Sequence, residues 1–111
     1  MKLLIEKEYQ YVPEWNGNKK EDNPVVFNLK ALTEFERDKI IIQKYLDGGL
    51  ETSTNRSEAV RLAVVSIENL FVNGVEIKTA RQLLDVPGIS SLIAELATEV
   101  ILNTAKKDLG N

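Results

Sequence analysis

Apolar and polar residues alternate at the start of the chain: Leu3, Ile5, Tyr9 and Tyr11 fall on odd positions, and Val25, Phe27 and Leu29 repeat the spacing. Side chains two apart share one face of a strand, so both runs predict half-buried β-strands. Residues 13–24 between them begin and end with proline and contain Asn16-Gly17-Asn18 and Lys19-Lys20-Glu21-Asp22. Proline gives no hydrogen to a ladder, and Asn and Gly accept turn geometries, so this stretch predicts an exposed loop. A long-looped β-hairpin over residues 1–30 follows.

The pattern then changes to helical spacing. Thr33 and Glu36 form a capping box, in which each side chain meets the other residue's backbone N–H. The predicted helix runs to about Leu46, with Phe35, Ile42 and Leu46 on one flank and Ile41 and Tyr45 beside them, and Gly48-Gly49 closes it in a left-handed cap. Residues 50–54 read as a linker. Asn55 with Glu58 starts a second helix, whose rail Val60, Val64 and Ile67 is flanked by Ala59, Ala63 and Leu70. Asn73-Gly74 between short apolar runs predicts a second hairpin over residues 70–77, because a type I′ turn needs positive φ at both central residues.

Thr79 and Gln82 open a short third helix reaching Leu84 or Asp85, stopped by Pro87-Gly88. Ser90 or Ser91 opens the last, with Leu92, Leu96 and Val100 on one rail and Ile93, Ala97 and Ile101 on the next. Residues 106–111 should fray. The expected fold is one α+β domain over residues 1–111, with the long-looped hairpin followed by about four helices and an inserted Asn-Gly hairpin.

Composition narrows the chemistry. The 111 residues include no histidine and no cysteine, which removes the usual proton shuttle, thiolate nucleophiles, disulfides and the commonest metal ligands. No carboxylate cluster has the spacing of a calcium loop, and nothing pairs a nucleophile with a base, so the chain reads as a non-enzyme without cofactor or metal. Net charge is −3 and residues 1–30 balance, which disfavours nonspecific binding to nucleic acid or anionic membranes. Met1-Lys-Leu-Leu-Ile5 runs at once into Glu6, Lys7 and Glu8, and no apolar run approaches the roughly 18 residues of a membrane span, so the chain reads as cytosolic.

A few positions carry more specific signals. Residues 84–90, Leu-Asp-Val-Pro-Gly-Ile-Ser, resemble a helix-hairpin-helix DNA-binding turn, but Ser90 replaces its second glycine and Glu95 and Glu99 follow where phosphate contacts need Lys or Arg. A structural turn is the favoured reading. Trp15, the sole tryptophan, follows Tyr11 into the polar loop, where it is either a partner-binding anchor or a lid on the small sheet. Lys19 and Lys20 are offset by Glu21 and Asp22. Leu92, Leu96 and Val100 are core or, as the minority reading, a client-binding or self-association surface. Asn55-Arg-Ser57 matches a glycosylation acceptor, which is chance in a chain read as cytosolic.

Taken together, Tyr11-Val-Pro-Glu-Trp-Asn-Gly-Asn18, residues 25–29 running into Thr33-Glu-Phe-Glu-Arg37, and residues 68–80 with Leu83-Leu84 resemble small structural proteins of tailed bacteriophages and prophages, most of all tail assembly chaperones. The resemblance implies a factor in the bacterial cytoplasm, absent from the mature virion. It would bind the long, apolar, helical tape-measure protein, and the tail-tube protein with it, while tube subunits polymerise. It also allows a longer frameshifted form. A connector or minor tail protein kept in the particle is the alternative within the same setting, and a small DNA-binding module using residues 86–90 is the alternative outside it. Under the chaperone reading the expected partner contacts are Tyr11, Trp15, Leu92, Leu96 and Val100.

Overall fold

The computed structural model describes residues 1–106, with side chains through residue 103. The chain is α+β. In order it forms β1 (Glu8–Tyr11), a 3₁₀ segment (Trp15–Lys20), β2 (Val26–Lys30), α1 (Glu34–Ile40), β3 (Ile41–Leu46), β4 (Gly49–Thr54), α2 (Arg56–Ala63) and β5 (Val64–Glu68). A short hairpin of β6 (Phe71–Val72) and β7 (Val75–Glu76) leads to α3 (Ala80–Leu84) and α4 (Ser90–Lys106). One sheet has strand order β1-β2-β5, and β3-β4 and β6-β7 are separate two-stranded sheets.

The long-looped hairpin forms as expected, with Glu8 opposite Lys30 and Tyr11 opposite Phe27. It is shorter than the alternation suggested, and Leu3 and Ile5 are exposed ahead of the strand. The five residues of β2 are the reason: beyond Lys30 the chain turns to the Thr33 cap, so residues 1–6 have no strand opposite them. The Thr33–Glu36 and Thr79–Gln82 boxes and the Asn55 cap all form. Asn73 and Gly74 take φ of 51° and 81°, the left-handed pair that the β6-β7 turn requires.

Two expectations are overturned. The first helix stops at Ile40, and residues 41–46, predicted helical, pair with residues 49–54, predicted a linker, from Ile41↔Thr54 to Leu46↔Gly49. The β-branched run Ile40-Ile41-Ile42, Tyr45 and the threonines of β4 suit a pleated ribbon, and Asp47-Gly48 makes a two-residue turn rather than a helix cap. The second helix also ends early, at Ala63, so that Val64 and Ile67 lie on a strand. Their spacing of three mimics a helix because of a bulge. Ser66 faces Asn28 but Val64 faces Leu29, so Val65 is an extra residue and Val64 and Ile67 both reach the core.

The core lies between the three-stranded sheet and the helices, with α2 packed on α4. Phe27, Leu29, Ile40, Val60, Leu83, Leu92, Leu96 and Val100 are all essentially inaccessible to water. The expected fraying of residues 106–111 lies outside the described residues except for Lys106, the last residue of α4.

Candidate functional site

The loop between β1 and β2 is held to α4 by one carboxylate. Glu95 accepts the Tyr11 hydroxyl at 2.5 Å and the Glu14 backbone N–H at 2.8 Å on Oε2, and the Trp15 backbone N–H at 3.1 Å on Oε1. The Trp15 indole N–H donates to Ser91 Oγ, one turn earlier on the helix, at 2.8 Å. Residues four apart on a helix stand on one face, so Ser91 and Glu95 form a single landing strip for the loop. Burial pushes the Tyr11 phenol up, helped by the hydrogen bond and charge of Glu95. Tyr9, one step along the same face of β1, is pushed up by burial and then by Glu99 and Glu6.

Asn18 closes the loop from inside. Its side chain is buried and fully used: Nδ2 donates to the Pro13 and Val25 carbonyls at 3.0 Å each, and Oδ1 accepts the Val25 N–H at 2.8 Å. Asn16 and Gly17 take positive φ, 52° and 70°, which turns the chain so that Asn18 points inward. Between this loop and the start of β6 lies a cleft of about 310 Å³. Val25 and Leu70 are its accessible aliphatic lining, backed by the buried Phe27 and Leu92; Trp15 and Phe71 are its accessible aromatics, and Asn16, Asn69 and Glu21 add polar groups.

The second conspicuous surface is the β3-β4 hairpin, which stands off the body. Every residue from Gln43 to Thr54 is exposed, Tyr45 at 88%, Leu46 at 55% and Leu50 at 53%. Register places Gln43, Tyr45, Leu50 and Thr52 on one face and Lys44 and Glu51 on the other, so the first face carries no charge.

Compared with protein-family models, curated proteins and solved structures, the chain matches none.

Of the expected contact residues, Tyr11, Trp15 and Leu92 come together, the first two on Glu95 and the last two at the cleft. Trp15 is hydrogen-bonded onto α4 and lines the cleft. Leu92, Leu96 and Val100 are buried and belong to the core cluster, so the face that α4 shows to solvent is a different one. The turn at residues 86–90 is a helix-to-helix connection with Gly88 at φ 80°, and Arg56 is the one charged residue lining the hollow beside it. Among the described residues no helix is long and apolar enough to cross a membrane, and no group of three or more Asp or Glu is placed to hold a metal ion.

Sequence reasoning missed Glu95 as a clamp, Asn18 as a keystone and Phe71 and Glu21 as cleft residues. Glu95 carries the one available signal: a carboxylate between Leu92 and Leu96, one turn after Ser91, is a polar break beside an apolar rail. The partners of Asn18 are loop ends that no spacing rule brings together.

Proposed function

We propose that this chain is a non-enzymatic protein-binding factor of phage tail morphogenesis, a tail assembly chaperone that holds the tape-measure protein while tail-tube subunits polymerise. The resemblance of residues 11–18, of 25–29 with 33–37, and of 68–80 with Leu83-Leu84 supplies the family, and the β3-β4 arm supplies the surface.

The arm carries the reading. A client-binding protein needs apolar side chains that water still reaches, and Tyr45 and Leu50, paired on the uncharged face of the arm, meet that need where Leu92, Leu96 and Val100 do not. A two-stranded ribbon alone is marginally stable in water, and both outer edges of this one are unpaired among the described residues. A partner that covers the uncharged face stabilises the ribbon as it binds. Lys44 and Glu51 on the opposite face keep the free arm hydrated.

The test is co-expression with the neighbouring genes of its locus, followed by affinity capture and mass spectrometry. Recovery of a long, helical, otherwise insoluble protein by the wild-type chain, and its loss with Tyr45→Ser/Leu50→Ser, is the expected result. Detection of the chain in purified virions would replace the chaperone with a connector or minor tail protein. Capture unaffected by the double substitution would remove the arm from the account.

A further inference from the structure

The cleft beside Trp15 has a different chemistry from the arm. Its lining is mixed: Val25 and Leu70 are its partly exposed aliphatic side chains, Trp15 and Phe71 its exposed or partly exposed aromatics, Asn16 and Asn69 its neutral polar groups and Glu21 its single charged group. At about 310 Å³ it sits at the small end of ligand-cleft sizes, which run about 300–1,000 Å³, so it suits a side chain better than an extended ligand.

Several features are set before anything binds. The Trp15 indole is fixed by its N–H bond to Ser91 and its backbone bond to Glu95. Asn18, buried and satisfied, holds the loop that forms one wall. The Glu21 carboxylate takes part in no ion pair or side-chain hydrogen bond among the described residues, and nearby Lys19 is engaged by Glu14 at 3.5 Å. Lys20 does not line the cleft.

We infer that this cleft is a recognition site for an arginine or lysine side chain presented by a partner polypeptide. The aliphatic stem lies along Val25 and Leu70, the partly exposed apolar side chains of the lining, as long basic side chains do on apolar surface. The cationic head meets Trp15 and Phe71, whose π-systems attract positive charge, and the unpaired Glu21 carboxylate. An acidic side chain is repelled by that same carboxylate, and a plain aliphatic one gains nothing from its charge. The assignment goes beyond the chaperone proposal and does not depend on it, since the partner is defined by its side chain and the test uses no phage protein.

Trp15 is the only tryptophan, so its emission reports directly on the cleft. The probes are a capped pentapeptide with one central arginine among alanines, and the same peptide with norleucine in its place. Expected is a saturable change in Trp15 emission with the arginine peptide, at a Kd of about 1 mM or tighter, at least tenfold weaker binding of the norleucine peptide, and weakening by salt. Glu21→Gln, an exposed and unpaired position that leaves the fold intact, should reduce the affinity several-fold; circular dichroism checks that fold. No saturable change at tens of millimolar, equal response to both peptides, or full affinity in Glu21→Gln would each overturn the proposal. So would an emission change driven by protein concentration alone, which would place a second copy of this chain in the cleft.

Discussion

Trp15 and Glu95 lie 80 residues apart and are joined by a hydrogen bond of 3.1 Å from the Trp15 backbone N–H to the Glu95 carboxylate. The same carboxylate takes the Tyr11 hydroxyl and the Glu14 N–H. One side chain of the last helix thereby fixes the route of the first loop, and with it one wall of the cleft.

Glu95→Ala should therefore loosen the loop without unfolding the body. Three donors lose their acceptor, and hydrogen bonds to a charged group contribute about 1.5–3 kcal/mol each when well shielded. Part of that returns through water because the site is only half-buried, so a net loss of about 1–3 kcal/mol is expected. Urea denaturation measures it, and Trp15 emission should shift to the red in the native baseline. An unchanged native emission spectrum would mean that the loop is held by something else.

Asn18 makes a sharper case, because the sign of two substitutions can be ordered. Asn18→Ala leaves the half-buried Val25 N–H and two carbonyls without their partner, a cost of about 1–3 kcal/mol. Asn18→Asp should be worse despite its shape, since a carboxylate cannot donate and would face the Pro13 and Val25 carbonyls with negative charge. Thermal melts of the three proteins at pH 7 should fall in the order Asn, Ala, Asp.

The sequence disclosed those parts of the fold whose causes are local. Thr33–Glu36, Asn55–Glu58, Thr79–Gln82 and Asn73-Gly74 each act within four residues, and each formed. The errors arose where a distant partner decides. Ile41 to Leu46 fits a helix by spacing and becomes a strand because β4 is there to pair with it. Val64 and Ile67 keep a helical interval only because a bulge at Val65 shifts the register against β2. The site was less legible still. Tyr11 and Trp15 could be singled out as aromatics in polar company, but their convergence on Glu95 is a property of the folded chain.

The core and the arm should respond oppositely to substitution. Leu96 is inaccessible to water, and Leu96→Ala should cost about 2–5 kcal/mol, seen as a lower urea midpoint. Tyr45→Ser on the arm should change global stability by no more than about 0.5 kcal/mol, because the side chain is almost wholly exposed. Capture of a partner should show the reverse ranking when measured well below the melting temperature of both variants. If Tyr45→Ser lowered the midpoint as much as Leu96→Ala, the arm would have to be counted as part of the body.

Alkaline pH offers a test of the loop that needs no partner. Folding raises the pKa of the Tyr11 phenol, chiefly by burial and further through Glu95, and raises that of Tyr9 by burial and then the charges of Glu99 and Glu6. A raised pKa means that the folded state favours the neutral phenol more than the unfolded chain does, whose tyrosines titrate near pH 10. The resulting stability is fully present below about pH 10 and is lost as pH rises from there through the higher folded values. Urea midpoints should be flat between pH 7 and 9 and fall steeply above 10, with Trp15 emission shifting red as the contact between Tyr11 and Glu95 opens. Tyr11→Phe removes one of the two phenols: it should start from a lower midpoint, having lost the hydrogen bond, and then decline less with pH. An alkaline decline as steep in Tyr11→Phe as in the wild type would assign the effect to Tyr9 alone and uncouple the loop from it.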